Sequence, residues 1–268
     1  MTTLGVIFPP DQPPEELQAV ARAADRAGLE QLWLWEDCFK EGALTAAAAA
    51  LAWTERLAVG IGLLPVPLRN VALTAMELAT LERLFPGRLV PGVGHGILEW
   101  MGQVGERVQS PMTLLGEYTT ALRDLLHGQK LTTSGRYVQL TDVQLDWPPT
   151  PPPPLLVGAA REKTVRLAGE LGDGVILGGD TTPAQLRNVS NQLRSARADA
   201  GRSGEPPADI VAFVPVEGRL GASDVAGRVA ECADAGATHV ALLAVGDDAP
   251  ALADYAPFVA REVRPLVP

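Results

Sequence analysis

Residues 57–96, LAVGIGLLPVPLRNVALTAMELATLERLFPGRLVPGVGHG, hold a short apolar run, a proline-rich turn, a segment of helical length and a second short apolar run. LAVGIGLL (Leu57 to Leu64) reads as a buried strand, the stretch after Asn70 as an amphipathic helix, and RLVPGVG (Arg88 to Gly94) as the next strand. Strand, helix, strand is the unit of a parallel sheet. The same alternation extends in both directions. Towards the N-terminus, LGVIF (Leu4 to Phe8) precedes a helix from about Pro14, and LEQLWLW (Leu29 to Trp35) precedes an alanine-rich helix from Ala43. Beyond RLVPGVG comes a helix from Met112, then PLLVG (Pro154 to Gly158) with a helix from Glu162, and GVILG (Gly174 to Gly178) with one from Pro183. DIVAFVPV (Asp209 to Val216) leads to a helix from Ser223, and HVALLAV (His239 to Val245) to a last one from Pro250. Eight such units are enough to close a (β/α)8 TIM barrel. A doubly wound open sheet uses fewer strands and places a glycine-rich turn after the first, where this chain has Phe8-Pro9-Pro10.

The chain has 268 residues, 47% of them apolar. That is close to the roughly 250 residues of one such barrel, so a single domain over 1–268 is expected. Two insertions stand out. Gly94 to Ser110 is long and irregular, and KLTTSGRYVQLTDVQLDW alternates polar and apolar residues around Ser134-Gly135 like a hairpin. The run PPTPPPP (Pro148 to Pro154) reads as a stiff spacer returning the chain to the fifth strand rather than as a ligand for a proline-binding module.

A formal charge of −10 with only three lysines repels phosphate backbones, so no nucleic-acid partner is expected. No apolar run reaches the ~18 residues of a spanning helix, and the N-terminal stretch lacks a basic segment ahead of an apolar one; no membrane association and a cytoplasmic location are expected. The cysteines, Cys38 and Cys232, are too few and too far apart for a disulfide scaffold. Any anionic ligand must therefore be gripped by helix-start N–H groups and one or two arginines.

Chemistry in such a barrel lies at the carboxyl ends of the strands. The residues there are Phe8; Trp35, Glu36, Asp37 and Cys38; Gly62 and Leu63; Gly94, His95 and Gly96, with Glu99 and Trp100 just beyond. Gly158, Ala159, Ala160 and Arg161 follow, then Gly178 to Asp180, Glu217 and Asp247. No histidine pair at metal spacing, no Gly-x-Ser-x-Gly elbow and no strand-end lysine occurs, so no metal and no unaided nucleophile is expected. Small residues dominate instead, which either let backbone approach a flat ring or phosphate, or simply make tight turns.

Two stretches resemble the luciferase-like superfamily of flavin monooxygenases and deazaflavin-dependent oxidoreductases: Val59 to Gly96, and PPLLVGAAREKTVRLAGELGDGVILG (Pro153 to Gly178). The resemblance implies hydride transfer with the deazaflavin F420, or oxygen transfer with FMN, to a small organic substrate. It favours F420. It implies a cis peptide at Gly62-Leu63, a place for His95 and Gly96 against the cofactor, and a phosphate held by Gly158, Ala159, Ala160 and Arg161 at the start of a helix.

The sequence also departs from the family pattern. Asp37 matches, but Cys38 stands where a histidine is common and Ile97 where an acid is common. The acid–base candidates are then Asp37, Glu36, His95 and Glu99, with Glu36 and Glu99 also readable as solvated loop acids. Cys38 reads as a small buried residue before a reactive thiol. His127, His239 and Cys232 read as structural, as do the tryptophans, Trp35 excepted. Rival readings are a barrel that binds a small ligand without turnover, and a cofactor-independent lyase or isomerase. The apolar second and third helices, Ala43 to Trp53 and Val71 to Leu84, offer a homodimer face.

Overall fold

The computed structural model describes residues 2–179, 181–218 and 220–267. Along the chain run β1 (Thr3–Phe8), α1 (Leu17–Ala27), β2 (Gln31–Leu34), α2 (Ala43–Trp53), β3 (Ala58–Pro65), α3 (Val71–Leu84) and β4 (Leu89–Gly94). Next come α4 (Leu98–Gln103), α5 (Pro111–Leu126), the pair β5 (Leu131–Ser134) and β6 (Gln139–Val143), then β7 (Leu156–Gly158) and α6 (Glu162–Leu171). The chain ends with β8 (Gly174–Leu177), α7 (Pro183–Asp199), β9 (Asp209–Glu217), α8 (Ala222–Asp234), β10 (His239–Val245) and α9 (Leu252–Phe258). The strands close into a parallel barrel in the order β1-β10-β9-β8-β7-β4-β3-β2. Each expected strand is present, with its ends within two residues of the sequence reading.

Alternation along the strands divides the apolar residues into two layers. Leu4, Val6 and Phe8 of β1 face the helices in the larger outer core. Ile7 points inwards, where it joins Trp33, Val90, Leu156, Ile176, Val211, Phe213 and Ala241 to fill the barrel. Trp33 fits because Gly60 faces it: a Cβ there would lie 2.4 Å from its ring.

The two insertions differ. The second is the expected antiparallel hairpin, with Ser134 opposite Gln139 and Thr133 opposite Leu140. The first is not wholly irregular, because buried Met101 anchors the short helix α4. The proline run contains one cis peptide, Thr150–Pro151. His239 lies at the amino-terminal end of the barrel between Gln31 (3.1 Å) and Asp209 (3.3 Å), and His127 closes α5 on the Arg123 carbonyl at 2.7 Å. Both are structural, as expected. No helix among the described residues is long and apolar enough to cross a membrane.

Candidate functional site

At the carboxyl end of the barrel the Gly62–Leu63 peptide is cis, as is Cys38–Phe39. The first is the bond that the family resemblance implies. The peptide sits where β3 slips its register against β4, between Ile61 and Leu64. There the half-buried Leu63 side chain turns over the barrel mouth. A Cβ on Gly94 would lie 2.5 Å from Leu63 Cδ2, and one on Gly158 only 2.1 Å from it. The small residues of β4 and β7 thus make room for Leu63, and Leu63 itself forms the floor. The expectation that these glycines bring bare backbone against a ligand is corrected accordingly.

β2 delivers three neighbouring side chains to different surroundings. Glu36 is buried, accepts from the Ala43 N–H at 2.9 Å, and is gripped by both terminal nitrogens of Arg69, one of them at 2.9 Å. It is therefore not a solvated loop acid but an anchor joining β2, the start of α2 and the turn after β3. Asp37 is half-buried and no hydrogen bond or ion pair engages its carboxylate among the described residues. Burial pushes its carboxyl above the usual range, with Asp11 adding to the effect and Lys40 opposing it. Cys38 is also raised, by burial and then by the Glu36 and Asp37 carboxylates, so it stays a thiol.

His95 follows β4. Burial lowers its pKa, a backbone bond at Pro111 working the other way, so the ring is neutral near pH 7. Its Nδ1 is buried without a hydrogen-bond partner, and so is Trp35 Nε1, beside Phe213 at a centroid distance of 5.4 Å. Gly96, at φ +67°, turns the chain where a Cβ would meet Pro65 at 2.9 Å. Ile97 and Glu99 are exposed beyond it.

Other expected site residues lie elsewhere. The Phe8 side chain is fully buried in the outer core, facing the helices and not the mouth. Ala159 is buried in the same layer and its N–H is taken by the Ile176 carbonyl at 3.0 Å, which removes it from any phosphate-holding set. Ala160 and Arg161 are exposed, and no side chain caps α6, leaving its first-turn N–H groups open to an anion. Asp180 lies outside the described residues.

The sequence reading stopped at Cys38 and so missed Glu41, whose two carboxylate oxygens are buried without partners in the β2–α2 loop and whose pKa burial raises. An acid one residue before the glycine that opens α2 was the available signal. It also assigned no role to Arg69, although a buried Glu36 needs a cation. Among the described residues no cluster of metal-ligating side chains forms.

A half-buried floor with orphaned donors and acceptors around it suits a flat polar ring. The family described as luciferase-like monooxygenase has a model that matches residues 2–219. The chain is 25% identical over 211 residues to the 5,10-methylenetetrahydromethanopterin reductase of Methanolobus tindarius, covering 79% of this chain and 64% of that protein. It is 28% identical over 204 residues to the F420-dependent glucose-6-phosphate dehydrogenase of Nakamurella multipartita, covering 70% of this chain and 60% of that one. The chain thus spans less than two thirds of the length of these relatives. In fold it is similar to an F420-dependent secondary alcohol dehydrogenase in complex with an F420-acetone adduct, with a TM-score of 0.90 at 18% identity, over 100% of this chain and 99% of that one.

Proposed function

Because this chain belongs to the luciferase-like monooxygenase family, we propose that it is an oxidoreductase that uses the deazaflavin F420, with FMN as the alternative, on a small organic substrate. The observation that carries this reading is the gathering, at one end of the barrel, of the Leu63 floor, the half-buried Asp37 carboxylate and two buried unpartnered nitrogens, His95 Nδ1 and Trp35 Nε1. Two of the proteins it resembles, the glucose-6-phosphate dehydrogenase and the secondary alcohol dehydrogenase, are F420-dependent, which favours F420. A bound deazaflavin supplies a centre that gives or takes hydride; FMN also opens oxygen chemistry.

The protein's own residues then place and protonate. Leu63 supports the ring, while Ala160, Arg161 and the first turn of α6 hold its phosphate. Asp37, with its raised pKa, is the group best suited to hold and release a proton at the mouth. His95 acts as a neutral imidazole with a free Nδ1. Glu36 is withdrawn from proton transfer by Arg69, and Glu99 by its exposure. Titration of the purified protein with F420 and with FMN, followed by absorption and fluorescence, tests the reading: F420 is expected to bind, and binding of neither rules it out. A second reading, ligand binding without turnover, is favoured by Cys38 and Ile97, which supply no substitute acid. Bound F420 that never changes redox state with any substrate class would support it.

The partner proposed is a second copy of this chain. Leu73, Met76 and Leu84 are 48%, 57% and 65% exposed along one stripe of α3. Sedimentation showing only a monomer at micromolar concentration would remove this proposal. Cys38 and Cys232 are both free thiols.

A further inference from the structure

Three segments meet on one side of the barrel mouth: the end of β2 with its loop to α2, the turn after β3, and the insertion after β4. Glu36 at the end of β2 holds Arg69 of the turn, and Gly96 of the insertion packs on Pro65 of the same turn. Further along the insertion, Glu106 and Val108 line a cleft with Val66 and Arg69, where the β5–β6 hairpin stands off the start of α3. Beside this junction the inner wall of the mouth is apolar. Leu63, Trp35 and Leu243 are half-buried there, the last two packed on the cluster that fills the barrel.

The apolar surface continues outwards from that wall. Nine large apolar side chains are exposed among the described residues; Leu73, Met76 and Leu84 make the α3 stripe, Trp147 and Leu266 stand apart, and the other four belong to the β2 loop and the β4 insertion. They are Phe39, 64% exposed, Ile97, 50% exposed, and Leu98 and Val104. The helix α4 shows the choice locally. Its six residues bury Met101 alone, while Ile97 and Leu98 at its start and Val104 at its end face outwards. A lone exposed apolar residue is ordinary, but several on adjoining loops beside a mouth mark a surface that something covers.

Charge narrows what that something is. Arg69 is held by Glu36, Lys40 acts on Asp37, and Arg107 is exposed next to Glu106, which leaves Glu41 buried and Glu99 exposed without a matching base in these segments. An anion would meet the surplus of carboxylates. A polyol would exchange hydrogen bonds to water for contact with hydrocarbon. An uncharged molecule with an apolar body suffers neither loss and removes Phe39 and Ile97 from water.

We propose that the substrate of this site is an uncharged organic molecule with an apolar body, which lies over Leu63 and is gripped by Phe39 from the β2 loop and by Ile97 and Leu98 from the β4 insertion. The inference rests on the oxidoreductase reading for calling this molecule a substrate; its binding does not. It sets the chain apart from its relative the glucose-6-phosphate dehydrogenase, whose substrate is an anionic sugar.

The test is a calorimetric titration of the full chain, with and without saturating F420, using cyclohexanol, 4-tert-butylcyclohexanol, myo-inositol and glucose 6-phosphate. Both cyclohexanols are expected to bind at one site, the tert-butyl compound about tenfold or more tighter, since each buried carbon multiplies affinity up to about fourfold. No binding of myo-inositol or glucose 6-phosphate is expected. Phe39→Ser and Ile97→Ser, both at exposed positions where folding is little disturbed, should each weaken the tert-butyl compound about fivefold, while Leu266→Ser, at an exposed apolar residue elsewhere, should leave it unchanged. No binding of either cyclohexanol, equal affinity for the two, binding of either polar probe as tight as that of cyclohexanol, or no effect of both mouth variants would each overturn the proposal. So would loss of cyclohexanol binding at saturating F420, which would give the apolar loops to the cofactor, and affinity that falls on concentrating the chain, which would give them to a second copy. A chain that binds neither F420 nor FMN but keeps the ranking of the probes would strike the redox reading and uphold the apolar occupant.

Discussion

The two ends of the barrel treat polar groups in opposite ways. At the amino-terminal end, Asp173 receives Arg202 at 3.1 Å and the Leu155 N–H at 3.0 Å, and Arg202 also donates to the carbonyls of Gly169, Glu170 and Gly172. Glu205 takes Arg202 at 2.6 Å and Arg197 at 3.3 Å. Nearby, Asp25 accepts three backbone N–H groups; burial pushes its carboxyl up, but Arg56, Glu55 and Leu57 outweigh it and hold the pKa low. At the carboxyl-terminal end Glu41, His95 Nδ1 and Trp35 Nε1 are buried without partners, beside the half-buried Asp37. One end spends its polar groups on closing helix ends and strand starts. The other leaves them unspent, which costs stability and is retained where a ligand completes the bonds. The separation is not absolute, since Glu82 near the amino-terminal end keeps one oxygen buried and unpaired.

Mutation can break this contrast at either end. The largest effect is expected for Arg202→Ala, which removes one of the two arginines on Asp173, unpairs Glu205 from its nearest cation and takes a donor from three carbonyls: a loss of about 3 kcal/mol in urea unfolding, with affinity for the proposed cofactor unchanged. Glu36→Gln comes next. It leaves Arg69 facing a neutral amide and should cost about 2 kcal/mol, whereas Asn at the very next residue, Asp37→Asn, should stay within about 0.5 kcal/mol and lower turnover instead. If both substitutions destabilise equally, the assignment of one anchor and one free acid is wrong.

Gly158→Ala sharpens the reading of the floor. The added methyl presses on Leu63 and should cost about 1 kcal/mol, much of it recovered by pairing the change with Leu63→Ala, as a double-mutant cycle reports. A charged residue at Gly158 would disturb Leu63 first, so it is not a clean probe of a phosphate.

The smallest effect concerns pH. Folded His95 holds its proton less tightly than the unfolded histidine, so the unfolded chain gains a proton that the folded one resists as pH falls through about 6.5. Stability attributable to His95 is present above that range and declines below it. Urea midpoints at about pH 8 and about pH 5.5 should therefore diverge more for the parent than for His95→Gln.

The barrel was legible because its signals are local. LAVGIGLL, RLVPGVG and HVALLAV are short apolar runs bounded by prolines, glycines or polar turns, and the intervening segments repeat with helical period. The hairpin was legible for the same reason. The site was legible only as a set of strand ends, and within that set residue type said little about direction. Phe8 ends β1 but faces the helices, and Ala159 follows β7 but gives its N–H to β8. Glu36 and Asp37 are adjacent acids with nothing in the local sequence to separate them. Arg69, 33 positions later, selects one and leaves the other.

The order of strands and helices, the net charge of −10 and the presence of acids, histidine and glycines near the strand ends are properties of sequence alone, since each depends only on composition or on neighbours a few positions apart. Which acid is neutralised, that Leu63 occupies the space left by Gly94 and Gly158, and that the hairpin stands far enough from α3 to leave a cleft were decided by closure of the barrel. Those contacts join residues far apart in the chain, and only the folded backbone brings them within a few ångströms of one another.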